Sequence, residues 1–144
     1  MALGYGSGGI LKTARKTKTY TATAGNGNIG SVVLFTITGQ VLVTDISAFC
    51  TTLLTESGAT ATMELGVVGS TPLFIAATNA VDIDANEFWV DTAPDAAGIA
   101  LPAAMKDILI NANITNTVAV ANVTAGVIEY TVHYLPVSAD GLLV

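Results

Sequence analysis

Short stretches of β-branched residues in two-residue alternation, closed by Gly, Asn or Pro at intervals of roughly ten positions, run through most of this chain and leave little room for a helix. Residues 59–68 place Thr60, Thr62 and Glu64 on one side and Ala61, Met63 and Leu65 on the other. Residues 127–137 set Ile128, Tyr130, Val132 and Tyr134 against Val127, Glu129, Thr131 and His133. A period of two puts alternate side chains on opposite faces of a strand, so each segment predicts one wet and one buried face.

The same reading extends along the chain. A first strand starts near Lys16, and residues 25–28 form a turn before a second strand over 29–38 that Gly39 breaks. Residues 41–55 are apolar and threonine-rich without helical spacing, which predicts one long bent or bulged strand. Residues 73–78, 107–115 and 117–124 are further strands, and 81–90 is an edge strand led by a turn. Residues 91–104, with Pro94 and Pro102, form a long loop, with at most one helical turn over 103–107. Eight or nine strands predict an all-β fold, a β-sandwich of jelly-roll or Greek-key type, with a closed barrel as the alternative.

Of the 144 residues, 51% are hydrophobic and only 11% charged, which suits one domain whose surface is partly buried against other chains. A homo-oligomer or assembly subunit is expected. The apolar runs are far shorter than the roughly 20 residues needed to span a bilayer, and the start has no basic stretch leading into an apolar core, so cytoplasmic synthesis without membrane association is expected. The single Cys50 lies in an apolar segment and reads as a small buried hydrophobe.

Charge is segregated. Lys12, Arg15, Lys16 and Lys18 carry +4 within the first eighteen residues, and the remainder carries −10, for a net charge of −6. Residues 1–18, glycine-rich at the start, are expected to form an extended basic arm attached to an acidic β-sandwich over 19–144. Tyr5 has nothing local to pack on, so with Lys12, Arg15, Lys16 and Lys18 it forms the expected interface to a neighbouring subunit. Four basic residues without interleaved aromatics on a −10 body do not suit nucleic acid.

No motif points to catalysis or a cofactor. Residues 25–30 spell G-x-G-x-x-G, but the β-branched residues that follow cannot supply the helix N-terminus that holds a pyrophosphate, and a hairpin turn is expected. Residues 82–87 alternate oxygen side chains like the opening of a calcium loop, yet Ala93 stands where the twelfth-position glutamate belongs; local backbone capping is expected, with a weak cation site as the sharper reading. His133 is the only histidine, has no second imidazole for a relay, and lies too far along its strand from Glu129 to pair with it. The sequons at Asn113 and Asn122 read as strand-edge polar residues. A non-enzymatic protein without a cofactor or metal is expected.

Several stretches carry a resemblance. They are residues 32–39, 41–43, 64–66 and 82–89, and near the end residues 126–130, 134–138 and Gly141. Together they resemble the head decoration, or cement, proteins of tailed bacteriophages. The resemblance implies a virion structural protein bound outside the capsid to the major capsid protein, commonly as a trimer, and it brings no catalytic residues. A neck, tail or head-fibre component and a ligand-binding β-module remain the alternatives.

Overall fold

The computed structural model describes residues 10–144, and Tyr5 lies outside them. Eleven antiparallel strands follow in order: β1 (Lys12–Thr19), β2 (Gly30–Phe35), β3 (Ile37–Thr38), β4 (Val41–Glu56), β5 (Thr62–Val67), β6 (Ser70–Asn79), β7 (Glu87–Phe88), β8 (Lys106–Ile110), β9 (Ile114–Ala119), β10 (Val123–Pro136) and β11 (Leu142–Leu143). One sheet runs β1-β10-β4-β7, with β8 also on β4, and the other runs β2-β9-β5-β6. β11 and β3 form a two-stranded ribbon. The only helical elements among the described residues are single 3-10 turns at Ala80–Asp82 and Ala103–Met105.

The alternation seen in the sequence becomes the wall of one hydrophobic core. Ile128, Tyr130, Val132 and Tyr134 of β10 point inward, as do Met63 and Leu65 of β5 with Ala61 before it. β4 departs from strict alternation for a visible reason. Val41 and Val43 are buried, then Ile46, Ala48 and Cys50, so the inward set changes parity. The pairing jumps from His133↔Asp45 to Tyr134↔Val43, which leaves Thr44 as the extra residue of a bulge, its hydroxyl donating to the His133 carbonyl at 3.0 Å. The bulge keeps both halves of a 16-residue strand facing the core.

Two polar links tie the sheets together through the core. Trp89 is fully buried, and its Nε1–H donates to Thr78 Oγ1 of β6 at 3.0 Å. Tyr20 follows β1 and donates its hydroxyl to Asn116 Oδ1 of β9 at 2.9 Å, while standing 2.8 Å from the Tyr130 hydroxyl of β10. Buried polar groups that find partners in this way cost little and fix the relative position of the elements they join.

The extended arm expected over residues 1–18 requires correction where it is described. Lys12–Thr19 is a full edge strand, paired with β10 from Lys12↔Tyr134 to Thr19↔Val127. Its Thr-rich alternation lets it join the ladder, and the expected start near Lys16 fell inside this strand rather than at its end. The long loop and its single helical turn lie where expected. The β11–β3 ribbon is an element that the sequence reading did not include.

Candidate functional site

The basic cluster lies on β1, an edge strand that, among the described residues, pairs only with β10. Arg15 and Lys16 are exposed and Lys12 is half-buried. Strand alternation sends Lys12, Ala14, Lys16 and Lys18 to the same side as the inward residues of β10, and Arg15 to the outer face beside Glu129 and Thr131. Beneath Lys12 and Lys16 opens a groove of about 610 Å³ floored by Leu34, Phe35, Tyr134 and Leu143. The cations rim an open groove between the edges of the two sheets.

Lys18 behaves differently from the other three. Only 9% of it is exposed, and its Nζ donates to the Gly25 carbonyl and to Asn26 Oδ1, the latter at 2.9 Å. Burial, and then the neighbouring Lys16 charge, pull its pKa below lysine's ordinary value. Lys18 therefore anchors a turn, and the outward charge of β1 comes from Lys12, Arg15 and Lys16.

That turn is the G-x-G-x-x-G segment. Gly27 has φ +99°, and a Cβ there would run into the Val123 carbonyl oxygen. The Gly27 carbonyl accepts from Val123 N–H at 2.7 Å, and Gly25 N–H donates to Asn28 Oδ1 at 3.0 Å. Strand β2 follows from Gly30, so the glycines serve a tight turn packed on β10, and no helix begins there.

At the opposite edge of the same sheet lie the acids. Residues 82–95 hold Asp82, Asp84, Glu87, Asp91 and Asp95 and no basic residue. Asp84 N–H donates to Glu87 Oε2 at 3.0 Å, and Ala93 N–H donates to Asp91 Oδ1 at 2.7 Å, both local backbone caps. Among the described residues, no group of three or more His, Cys, Asp or Glu side chains is placed to hold a metal ion. Phe88 exchanges two backbone hydrogen bonds with Asp95, at 2.8 and 3.1 Å, which folds the start of the long loop along the outside of β7.

Between these edges, the outer face of the sheet carries a shallow groove lined by Arg15, Thr17, Ser47, Phe49, Phe88 and Glu129. Phe49 and Phe88 pack with ring centroids 4.9 Å apart. Farther along, His133 Nδ1 and Asp45 Oδ1 meet at 2.7 Å, both about one-third exposed. Along its own strand His133 has Glu129 as its nearest carboxylate, too far away to pair. The true partner is cross-strand, and long-range pairing of β4 with β10 is what brings it near. Cys50 is buried, and burial pushes its thiol up to about 11. Asn122 Oδ1 accepts from Ile29 N–H at 3.0 Å, and Asn113 Oδ1 accepts from Ile37 N–H at 2.8 Å, so both sequon asparagines hold backbone between strands.

No protein-family model matches this chain, and no curated protein matches it either. Among solved structures, the chain is similar to one described as part of the cyanophage Pam1 capsid asymmetric unit, with a TM-score of 0.56 at 20% identity, over 92% of this chain and 89% of that one. At that identity the likeness is one of fold.

Proposed function

We propose that this chain is a structural, non-catalytic component of a phage virion, a decoration or cement protein that binds the outside of the capsid as a homo-oligomer and adds contacts across capsomer boundaries. The observation that carries the reading is the fold likeness, over 92% of this chain, to a chain from a cyanophage capsid asymmetric unit. The family resemblance of residues 32–39, 82–89, 126–130 and 134–138 favours the same class independently.

The fold reading within this proposal is a jelly roll. Support comes from the pairing order: β1 with β10, β2 with β9, β4 with β7 and β8, and β5 with β6. A long antiparallel hairpin rolled up on itself pairs its strands in this outside-in sequence. The physical character of the surface also favours assembly. With 11% charged residues, and with Leu109, Val120 and Val144 each about two-thirds exposed, the chain has apolar surface to cover.

The partner in this reading is the major capsid protein, with the oligomer a trimer on threefold-related positions. Cryo-electron microscopy of particles, or of empty capsids mixed with purified protein, tests it. Density over the outer capsid lattice is the expected result. Density confined to the neck, tail or head fibres would replace the cement role with another structural one, and absence from particles would overturn the virion reading.

A further inference from the structure

The first sheet is electrically polarised from edge to edge. Its β1 edge carries Lys12, Arg15, Lys16 and Lys18 with no acid; at its far edge residues 82–95 carry five acids with no base, while β8, on the same side of β4, adds one of each in Lys106 and Asp107. β10 and β4 lie between β1 and β7. Three inter-strand steps separate the edges by about 14 Å, too far for side chains at one edge to neutralise those at the other and beyond the Debye length of about 8 Å at physiological salt. Among the described residues, the one contact within 4 Å between a carboxylate and a titratable base is His133–Asp45, on the face between them. Arg15 and Lys16 are exposed, and so are Asp82, Asp84 and Asp95.

An exposed edge strand is a template for pairing with another chain, and lysine on such an edge is a common protection against it. The protection is selective by sign. Two copies meeting β1 to β1 would bring the outward cations Lys12, Arg15 and Lys16 of one against the same three of the other along the shared edge. One copy's β1 meeting another's residues 82–95 would instead bring opposite charges together. Like-charge opposition disfavours the two-fold contact and leaves the head-to-tail one, which is heterologous and closes into a ring when the rotation permits.

We propose that copies of this chain associate head-to-tail through the two edges of this sheet, with Arg15 and Lys16 of one copy facing Asp84 and Asp95 of the next. The inference gives the homo-oligomer reading above a specific surface, and it does not depend on where in a particle the oligomer sits.

Sedimentation of the full-length protein over a concentration series, at low and high salt, tests it. The comparison set is wild type, R15E/K16E, D84K/D95K and the four-fold swap R15E/K16E/D84K/D95K, with far-UV circular dichroism and melting temperature as checks that these exposed substitutions leave the fold intact. The expected result is a wild-type oligomer that weakens with salt, a loss of at least about tenfold in association for each half-variant, and recovery in the four-fold swap. An oligomer that neither half-variant weakens would overturn the edge contact and leave the homo-oligomer reading standing. Weakening by the half-variants without recovery in the swap would also overturn it. A wild-type chain that stays monomeric at every concentration would overturn the homo-oligomer reading together with this one.

Discussion

The hydroxyl of Tyr20 sits 2.8 Å from that of Tyr130 and donates to Asn116 Oδ1 at 2.9 Å, while Asn116 Nδ2 donates to the Glu64 carbonyl at 3.1 Å. With the Tyr20 proton committed to Asn116, Tyr130 is the donor to Tyr20. This relay fixes an order of costs. Tyr20→Phe leaves both Asn116 Oδ1 and the Tyr130 hydroxyl unpaired in the core and is expected to destabilise by about 2–4 kcal/mol, because buried orphans cost about 1–3 kcal/mol each. Tyr130→Phe removes the terminal donor and orphans nothing, so about 0.5–1.5 kcal/mol is expected. Urea unfolding of the two variants checks this, and equal losses would contradict the relay.

Alkaline pH is expected to weaken the fold in a defined window. Burial raises the Cys50 thiol from its ordinary value of 9.0 to about 11, so the folded state holds that proton more tightly than the unfolded chain. The contribution is fully present below about pH 9 and is lost as pH rises through about 11. Tyr20 and Tyr130, raised chiefly by burial, act in the same sense above the ordinary tyrosine value of 10.0. The urea midpoint should hold steady to about pH 8.5 and then fall, with Cys50→Ala losing the first part of that fall. A midpoint unchanged at about pH 11 would count against it.

Two glycines separate backbone strain from collision. Gly58 has φ +88° with open space where a Cβ would go, whereas Gly27 combines φ +99° with a Cβ path into the Val123 carbonyl. Gly58→Ala should cost about 1 kcal/mol for the left-handed conformation alone. Gly27→Ala should cost clearly more, since the chain must also give up the close approach of the turn to β10. Thermal melts of the pair are the measurement.

Thr115 offers a change in the other direction. Its Oγ1 is buried in β9 without a hydrogen-bond partner among the described residues. Thr115→Val keeps the shape and β-branching, removes the unpaired hydroxyl, and is expected to stabilise by about 1 kcal/mol. A lower denaturation midpoint for this variant would show that the hydroxyl does find a partner.

Strand faces were readable from the sequence because period-two burial is a local property. Met63 and Leu65 against Thr62 and Glu64, or Tyr130 and Val132 against Glu129 and Thr131, required only adjacent residues. Long-range relationships were not. β1 could pass for an arm because its side chains are polar, and only its partner β10, at the other end of the sequence, makes it a strand. The His133–Asp45 contact, 88 positions apart, and the role of Lys18 as a turn anchor depend on register and on the path of the chain after β1. The short β11 has too few residues to carry a pattern, and its partner β3 is equally brief. The same limit applied to charge. Segregation along the chain was plain, while its conversion into two edges of one sheet required the strand order.

The side-by-side run of β4 and β10 has a mechanical consequence. Twelve register pairs join them, from Val123↔Glu56 to Pro136↔Val41. A pull along the strand direction loads many of these pairs at once, so they must shear together, whereas a pull across the strands would peel them one after another. Resistance to rupture is therefore directional: the fold is stiffest along an axis roughly 45 Å long, and a load applied along that axis meets its greatest strength.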